Sequence, residues 1–238
     1  MTTTSIPAAA TLMSRAQARR LLGAAAIASP LFAAVIIAQG MTREGFDFAR
    51  HPASILSNGS LAWIQIGNFL VTGLLIAAGA RGLALANPTG PGSRWAPRLA
   101  LAFGVGTALA GVFPMDPGDG FPLGTPEGPG TMSWHGALHA AVSSLAFLSL
   151  MATSLVMARR YAAEGSRGWA LYSAASGLLF LFGDLVSTAT FSSNQTVAVG
   201  RRATPTGVRI GASGRARPAE AERALPELLV KLVERQIT

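Results

Sequence analysis

The chain has 238 residues, half of them hydrophobic and only 13% charged, with a mean hydropathy of +0.41 and a net charge of +8. A soluble domain of this size carries about 25% charged residues, so an ordinary water-soluble fold is excluded. Cysteine is absent, which rules out disulfides, thiolate metal sites and cysteine nucleophiles.

Five apolar stretches follow one another: Leu21–Gln39, Leu61–Ala80, Leu99–Pro114, Ala137–Met157 and Gly168–Thr190. About 20 apolar residues at 1.5 Å rise cross a ~30 Å hydrocarbon core. Four stretches reach that length, and Leu99–Pro114 must borrow from its flanks. The fold class expected is therefore all-α, a polytopic transmembrane helical bundle of five membrane helices. A basic, largely disordered C-terminal tail follows it.

Residues 1–20 read as a flexible N-terminus. Arg15, Arg19 and Arg20 resemble the positive region of a secretory signal, but the apolar run behind them exceeds the usual 7–15 residues and no clean small-x-small cleavage site precedes Met41. A retained first helix is expected. Nine arginines (Arg15, Arg19, Arg20, Arg81, Arg94, Arg98, Arg159, Arg160, Arg167) fall on the side of the N-terminus, against Arg43 and Arg50 on the other. This asymmetry predicts a cytoplasmic N-terminus and extracytoplasmic loops at Met41–Ser60 and Met115–Trp134. Because the basic residues bracket helices and form no single face, the lipid bilayer is the expected partner and nucleic acid is not. Arginine outnumbers lysine 18 to 1 beside abundant Ala and Gly, suggesting a GC-rich bacterial coding sequence and so the cytoplasmic membrane.

Inside the helices, Gly104, Gly106, Ala108 and Gly111 in the third stretch, and Ser143, Ser144 and Ala146 in the fourth, let backbones approach closely. Gln65 and Asn68 in the second are expected to hydrogen-bond between helices. Trp63, Trp95, Trp134 and Trp169 stand near membrane boundaries as interfacial anchors. The loop Met115–Trp134 holds five glycines and four prolines, so little regular structure is expected there. Arg43, Glu44, Asp47 and Arg50 read as a solvated, salt-bridged face.

The candidate site is polar and lies at the extracytoplasmic end. His135 and His139 are four residues apart on one helix face, a spacing that presents two imidazoles to a metal. His51 and Asp116 belong to the loops at the same end. Asp184 is the sole acidic residue within an apolar stretch, and an intramembrane carboxylate is a functional candidate. The set His51, Asp116, His135 and His139, with Asp184 behind it, forms a candidate metal or proton-handling site. The alternative is that such groups snorkel and cap helices at interfaces. No cofactor is predicted, with a divalent metal such as zinc the exception if the cluster ligates.

Several short signatures together resemble a known family. They are Gly45-Phe46-Asp47 to His51-Pro52-Ala53-Ser54, then Trp63-Ile64-Gln65, Asn68-Phe69 and Gly73, then Gly111-Val112-Phe113-Pro114 with Asp116, and the His135-Gly136-x-x-His139 helix. In this order they resemble the multi-pass prokaryotic membrane family catalogued as domain of unknown function 998, over roughly Leu21 to Thr190. The resemblance implies a six-helix membrane protein without an established activity, and His51, Ser54, Asn68, Asp116, His135 and His139 match its recurrent polar positions. A sixth helix is then expected, yet Phe191–Thr238 has no membrane-length apolar run and carries eight basic residues. An altered reading frame would explain that tail. A genuine tail with a short amphipathic helix near 218–237, where Pro226–Ile237 is patterned, is the alternative.

The function expected is that of an integral membrane protein with a transport-like or accessory role. One alternative is a membrane-embedded metal-dependent hydrolase, since the His/Asp set resembles that of the alkaline ceramidase-like superfamily, though that group usually has seven helices. The other is a membrane scaffold or assembly factor.

Overall fold

The computed structural model describes residues 8–128 and 130–202, and side-chain surroundings for 14–128 and 130–186. Five α-helices carry the chain: α1 (Ala8–Thr42), α2 (Ala62–Ala86), α3 (Trp95–Val112), α4 (Trp134–Ala163) and α5 (Arg167–Arg202). Each contains a segment long and apolar enough to cross a membrane. Large apolar side chains such as Ile37, Leu74, Leu145, Leu179 and Phe182 lie exposed along them. That is the inverse of a soluble protein and the signature of helices dissolved in lipid. The protein is a multi-pass helical membrane protein.

Each helix packs chiefly on its neighbours in sequence, α1 on α2, α2 on α3, α3 on α4 and α4 on α5. Lipid removes the hydrophobic drive between helices, so close backbone approach must hold them. Gly73 of α2 and Gly104 of α3 supply it: a Cβ on Gly73 would lie 2.5 Å from the Gly104 carbonyl oxygen. A Cβ on Gly106 would lie 2.8 Å from the Ala146 Cβ of α4. The small residues of the third and fourth stretches thus sit at helix crossings, as their spacing suggests.

Helix α3 has 18 residues, about 27 Å long at 1.5 Å per residue. It gains its length at the start, where Trp95 to Arg98 extend the apolar run and Pro97 occupies the first turn, a position where its missing N–H costs nothing. All four tryptophans sit exposed at or next to helix starts. At the basic end, Arg160 donates to the carbonyls of Thr89 (2.9 Å) and Pro91 (3.2 Å), tying the α2–α3 linker to the end of α4.

Two helices run into segments expected to be flexible. Helix α1 begins at Ala8, so residues 8–20 of the anticipated flexible N-terminus are helical. Strong helix formers such as Ala8, Ala9, Ala10 and Leu12 extend the apolar helix backward without a break. Helix α5 continues to Arg202, so residues 191–202 of the anticipated tail are helical too. No proline interrupts that helix before Pro205. The amphipathic helix expected near 218–237, and the rest of the tail, lie outside the described residues.

Candidate functional site

The ends of α1, α2, α3 and α4 that meet the two long loops are closed by a folded cap. Residues Ala53–Ser57 form a short 3-10 helix whose Ile55 and Leu56 are fully buried, and Phe121 from the second loop packs against them. Ile36, Phe46 and Met115 surround this small core. The Gly/Pro-rich loop is therefore anchored, and its anchor is an aromatic set between turn glycines. Gly118 and Phe121 exchange backbone hydrogen bonds, and Asp119 takes a left-handed conformation (φ 53°) between them.

His51 fastens the two loops. Its Nδ1 accepts the Asp47 backbone N–H (2.9 Å), so Nε2 carries the ring proton and donates it to the Asp119 carbonyl (3.0 Å). The ring is buried against Phe46 and Phe121. Both nitrogens are spent on backbone, which makes His51 a strut. Arg43 does similar work: its guanidinium donates to the carbonyls of Leu56 (2.6 Å) and Asn58 (2.5 Å) and lies over Phe121. Partial burial away from water pushes Arg43 below its usual value.

Of the face expected at Arg43, Glu44, Asp47 and Arg50, the last three are exposed and Arg43 is half-buried. Arg43 binds carbonyls, Asp47 accepts from the Ala49 N–H, and Arg50 reaches across to Glu127 (2.6 Å) in the other loop. That Glu127 hydrogen bond raises Arg50 above its usual value. Arg43 and Arg50 find partners outside their own segment because the loops fold over one another, while Asp47 bonds within its own turn and Glu44 stays exposed.

Asp116 and α4 form a second clamp. Its Oδ2 accepts the Ser133 N–H (2.8 Å) and its Oδ1 the Ser133 hydroxyl (2.6 Å). Ser133 is the N-cap of α4, with its oxygen accepting from the Gly136 N–H (3.1 Å). The carboxylate thus sits where the helix dipole favours negative charge. It also presses on Gly136, where any Cβ would overlap Oδ2. The glycine between the two histidines is there to admit Asp116.

His139 is buried one turn further along α4. Its Nδ1 faces two carbonyls, Ala110 (3.0 Å) and Phe113 (2.8 Å), so Nδ1 carries the proton and caps the end of α3. His139 and His51 are therefore in opposite tautomers, each inferred from its acceptors. The Nε2 of His139 has no hydrogen-bond partner among the described residues, and its ring edge meets Phe69 of α2. His135 is exposed and stacks on Trp134, with ring centroids 3.5 Å apart.

A cavity of about 260 Å3 opens between these elements, lined by Ile55, Met115, Asp116, Thr131, Met132 and His139 among others. Of the expected site residues it joins Asp116 and His139. His51 stands behind Asp119, His135 faces outward, and Asp184 on α5 is half-buried and absent from the lining. The anticipated ligand set is not assembled: among the described residues no three of His, Asp or Glu form a group that could hold a metal. The physical reason is placement: both His51 ring nitrogens are held on backbone, His135 is exposed beside Trp134, and Asp184 is absent from the cavity that joins Asp116 and His139.

The family model described as a protein of unknown function, DUF998, matches residues 26–208. The chain belongs to the DUF998 family. The match continues past Thr190 through the extension of α5, so the family's text reaches further than the apolar run. Comparison with curated proteins and with solved structures returns no match.

Sequence reasoning missed Asp119, Phe121 and Gln39. A lone aromatic inside Gly118-Asp119-Gly120-Phe121-Pro122 was the available signal, because turn residues on both sides make a loop that can insert its apolar tip. Gln65 and Asn68 do bond to α1, as expected: Gln39 Nε2 donates to Gln65 Oε1 (2.8 Å), and Asn68 Nδ2 to the Phe32 carbonyl (3.1 Å).

Proposed function

We propose that this DUF998 protein resides in the cytoplasmic membrane with its N-terminus inside, and that its extracytoplasmic cap binds a small solute in a transport-like or accessory role. The arginine asymmetry supports that orientation. The observation that carries the binding reading is the cavity at His139, where one ring nitrogen is fixed on carbonyls and Nε2 is left to accept from a guest. Its mixed lining of Ile55, Met115 and Met132 with Asp116 and Thr131 suits a compact molecule with an apolar body and a hydrogen-bond donor.

A thermal-shift screen of small solutes on the protein in nanodiscs tests this. Solutes that stabilise the parent and fail to stabilise His139→Asn support the reading, because Asn keeps a donor near Nδ1 and removes Nε2. Stoichiometric zinc that is lost on changing His135 and His139, with no stabilising solute, would replace it with the metal-hydrolase reading.

A further inference from the structure

A row of polar side chains lies on the seam between α1 and α2, beneath the cap. Gln65, Asn68 and Thr72 fall at i, i+3 and i+7 on one face of α2, and Gln39 of α1 bonds to Gln65. All four are more than nine-tenths buried: Gln39 is 4% exposed, Gln65 0%, Asn68 6% and Thr72 4%. Each leaves a polar atom without a partner in the protein, namely Gln39 Oε1, Gln65 Nε2, Asn68 Oδ1 and Thr72 Oγ1.

Thr72 is the most telling. A hydroxyl in a membrane helix can bond the carbonyl four residues back, as Thr42, Thr107, Thr153, Ser154 and the equally buried Ser149 do here. Thr72 forgoes that bond. An unpaired polar group is heavily penalised in hydrocarbon, and four in one seam point to something that pairs with them. The unpaired set includes an amide donor, two carbonyl acceptors and a hydroxyl that does both. Rotating the Gln39 and Gln65 amides together exchanges their roles and still leaves one donor and one acceptor. None of the four is charged, and none is hydrogen-bonded to a charged side chain.

We infer that the α1–α2 seam is a binding site for water, a short file hydrogen-bonded by Gln39, Gln65, Asn68 and Thr72. Water is neutral, gives and takes hydrogen bonds, and typically makes about three when buried. The file runs from Gln65 to Thr72, seven steps along α2, about 10 Å. Its outer end lies under the 3-10 helix, which packs on both α1 and α2. Its inner end is closed, because Gly79 and Gly82 bring the two backbones together at Ala25, Leu21 and Ala18. The seam hydrates the bundle without conducting through it.

Water-edited NMR of the full chain in nanodiscs tests this directly. The side-chain amides of Gln65 and Asn68 should draw magnetisation from water several-fold faster than the backbone amide of lipid-facing Leu74. A second arm uses Thr72→Val, which keeps shape and removes the hydroxyl. It should melt several degrees below the parent, since the water it served loses a partner. Either of two results overturns the inference: transfer at both amides no faster than at Leu74, or a Thr72→Val protein that melts at or above the parent, as deletion of a truly unpaired hydroxyl would.

Discussion

The cap and the α1–α2 seam adjoin, since Gln39 lies one turn before Arg43, yet they treat polar groups in opposite ways. In the cap, His51, Arg43 and Asp116 each satisfy two backbone or hydroxyl groups around a small apolar core. In the seam, four buried side chains are each left one bond short. The cap is thus built like a fragment of soluble protein, held by insertion of Phe121 and by saturated hydrogen bonding. The helices below it are held by glycine contacts and finish their polar pairing with groups from outside the chain. A polytopic protein can carry both kinds of stability within one helical turn.

The largest effect should come from the cap's apolar tip. Phe121→Ala removes a fully buried ring and should cost about 3–5 kcal/mol in thermal or denaturant unfolding. Phe182→Ala, at a ring 67% exposed in a lipid-facing helix, should stay within about 0.5 kcal/mol. Equal losses at the two would break the contrast.

Next comes the N-cap clamp. Asp116→Ala strands the Ser133 N–H and hydroxyl and should cost about 2–3 kcal/mol. Asp116→Asn, which keeps one acceptor, should lose roughly half of that. Similar losses in both variants would assign the effect to charge at the α4 terminus and not to paired acceptors.

The two histidines of one helix face should separate cleanly. His139→Ala frees the carbonyls of Ala110 and Phe113, and should cost about 1–2 kcal/mol with faster amide exchange at the end of α3. His135→Ala loses a stack on exposed Trp134 and should cost less than about 0.5 kcal/mol. The smallest effect belongs to Arg50→Ala. Its ion pair with Glu127 is exposed at both ends, so a loss of about 0–1 kcal/mol that shrinks further in high salt is expected.

The spans were legible because apolar length is a property of composition, and lipid makes that property decisive. The i, i+4 spacing of His135 and His139 was also legible, but spacing says only that two rings share a face. It does not say that Asp116 would occupy Gly136 between them, or that the end of α3 would take the Nδ1 proton of one ring. Those facts depend on loop 115–133 folding back, through contacts between residues distant in sequence such as Arg50 with Glu127 and His51 with Asp119. Gln65 and Asn68 were readable as polar groups in an apolar helix. Their shortfall was not, since it depends on how Gln39 and Thr72 are buried beside them.

The proposed orientation puts the cap and its cavity outside the cell and the basic linkers inside. Because the chain has no cysteine, single substitutions report position without background. Thr131→Cys, exposed and on the cavity lining, and Thr89→Cys, exposed in the α2–α3 linker, are suited to this. Gly124 and Gly92 in the same loops stand at positive φ and are not. In intact cells a membrane-impermeant maleimide should label Thr131→Cys, and should label Thr89→Cys only after lysis. Labelling of Thr89→Cys in intact cells while Thr131→Cys stays protected until lysis would contradict the account.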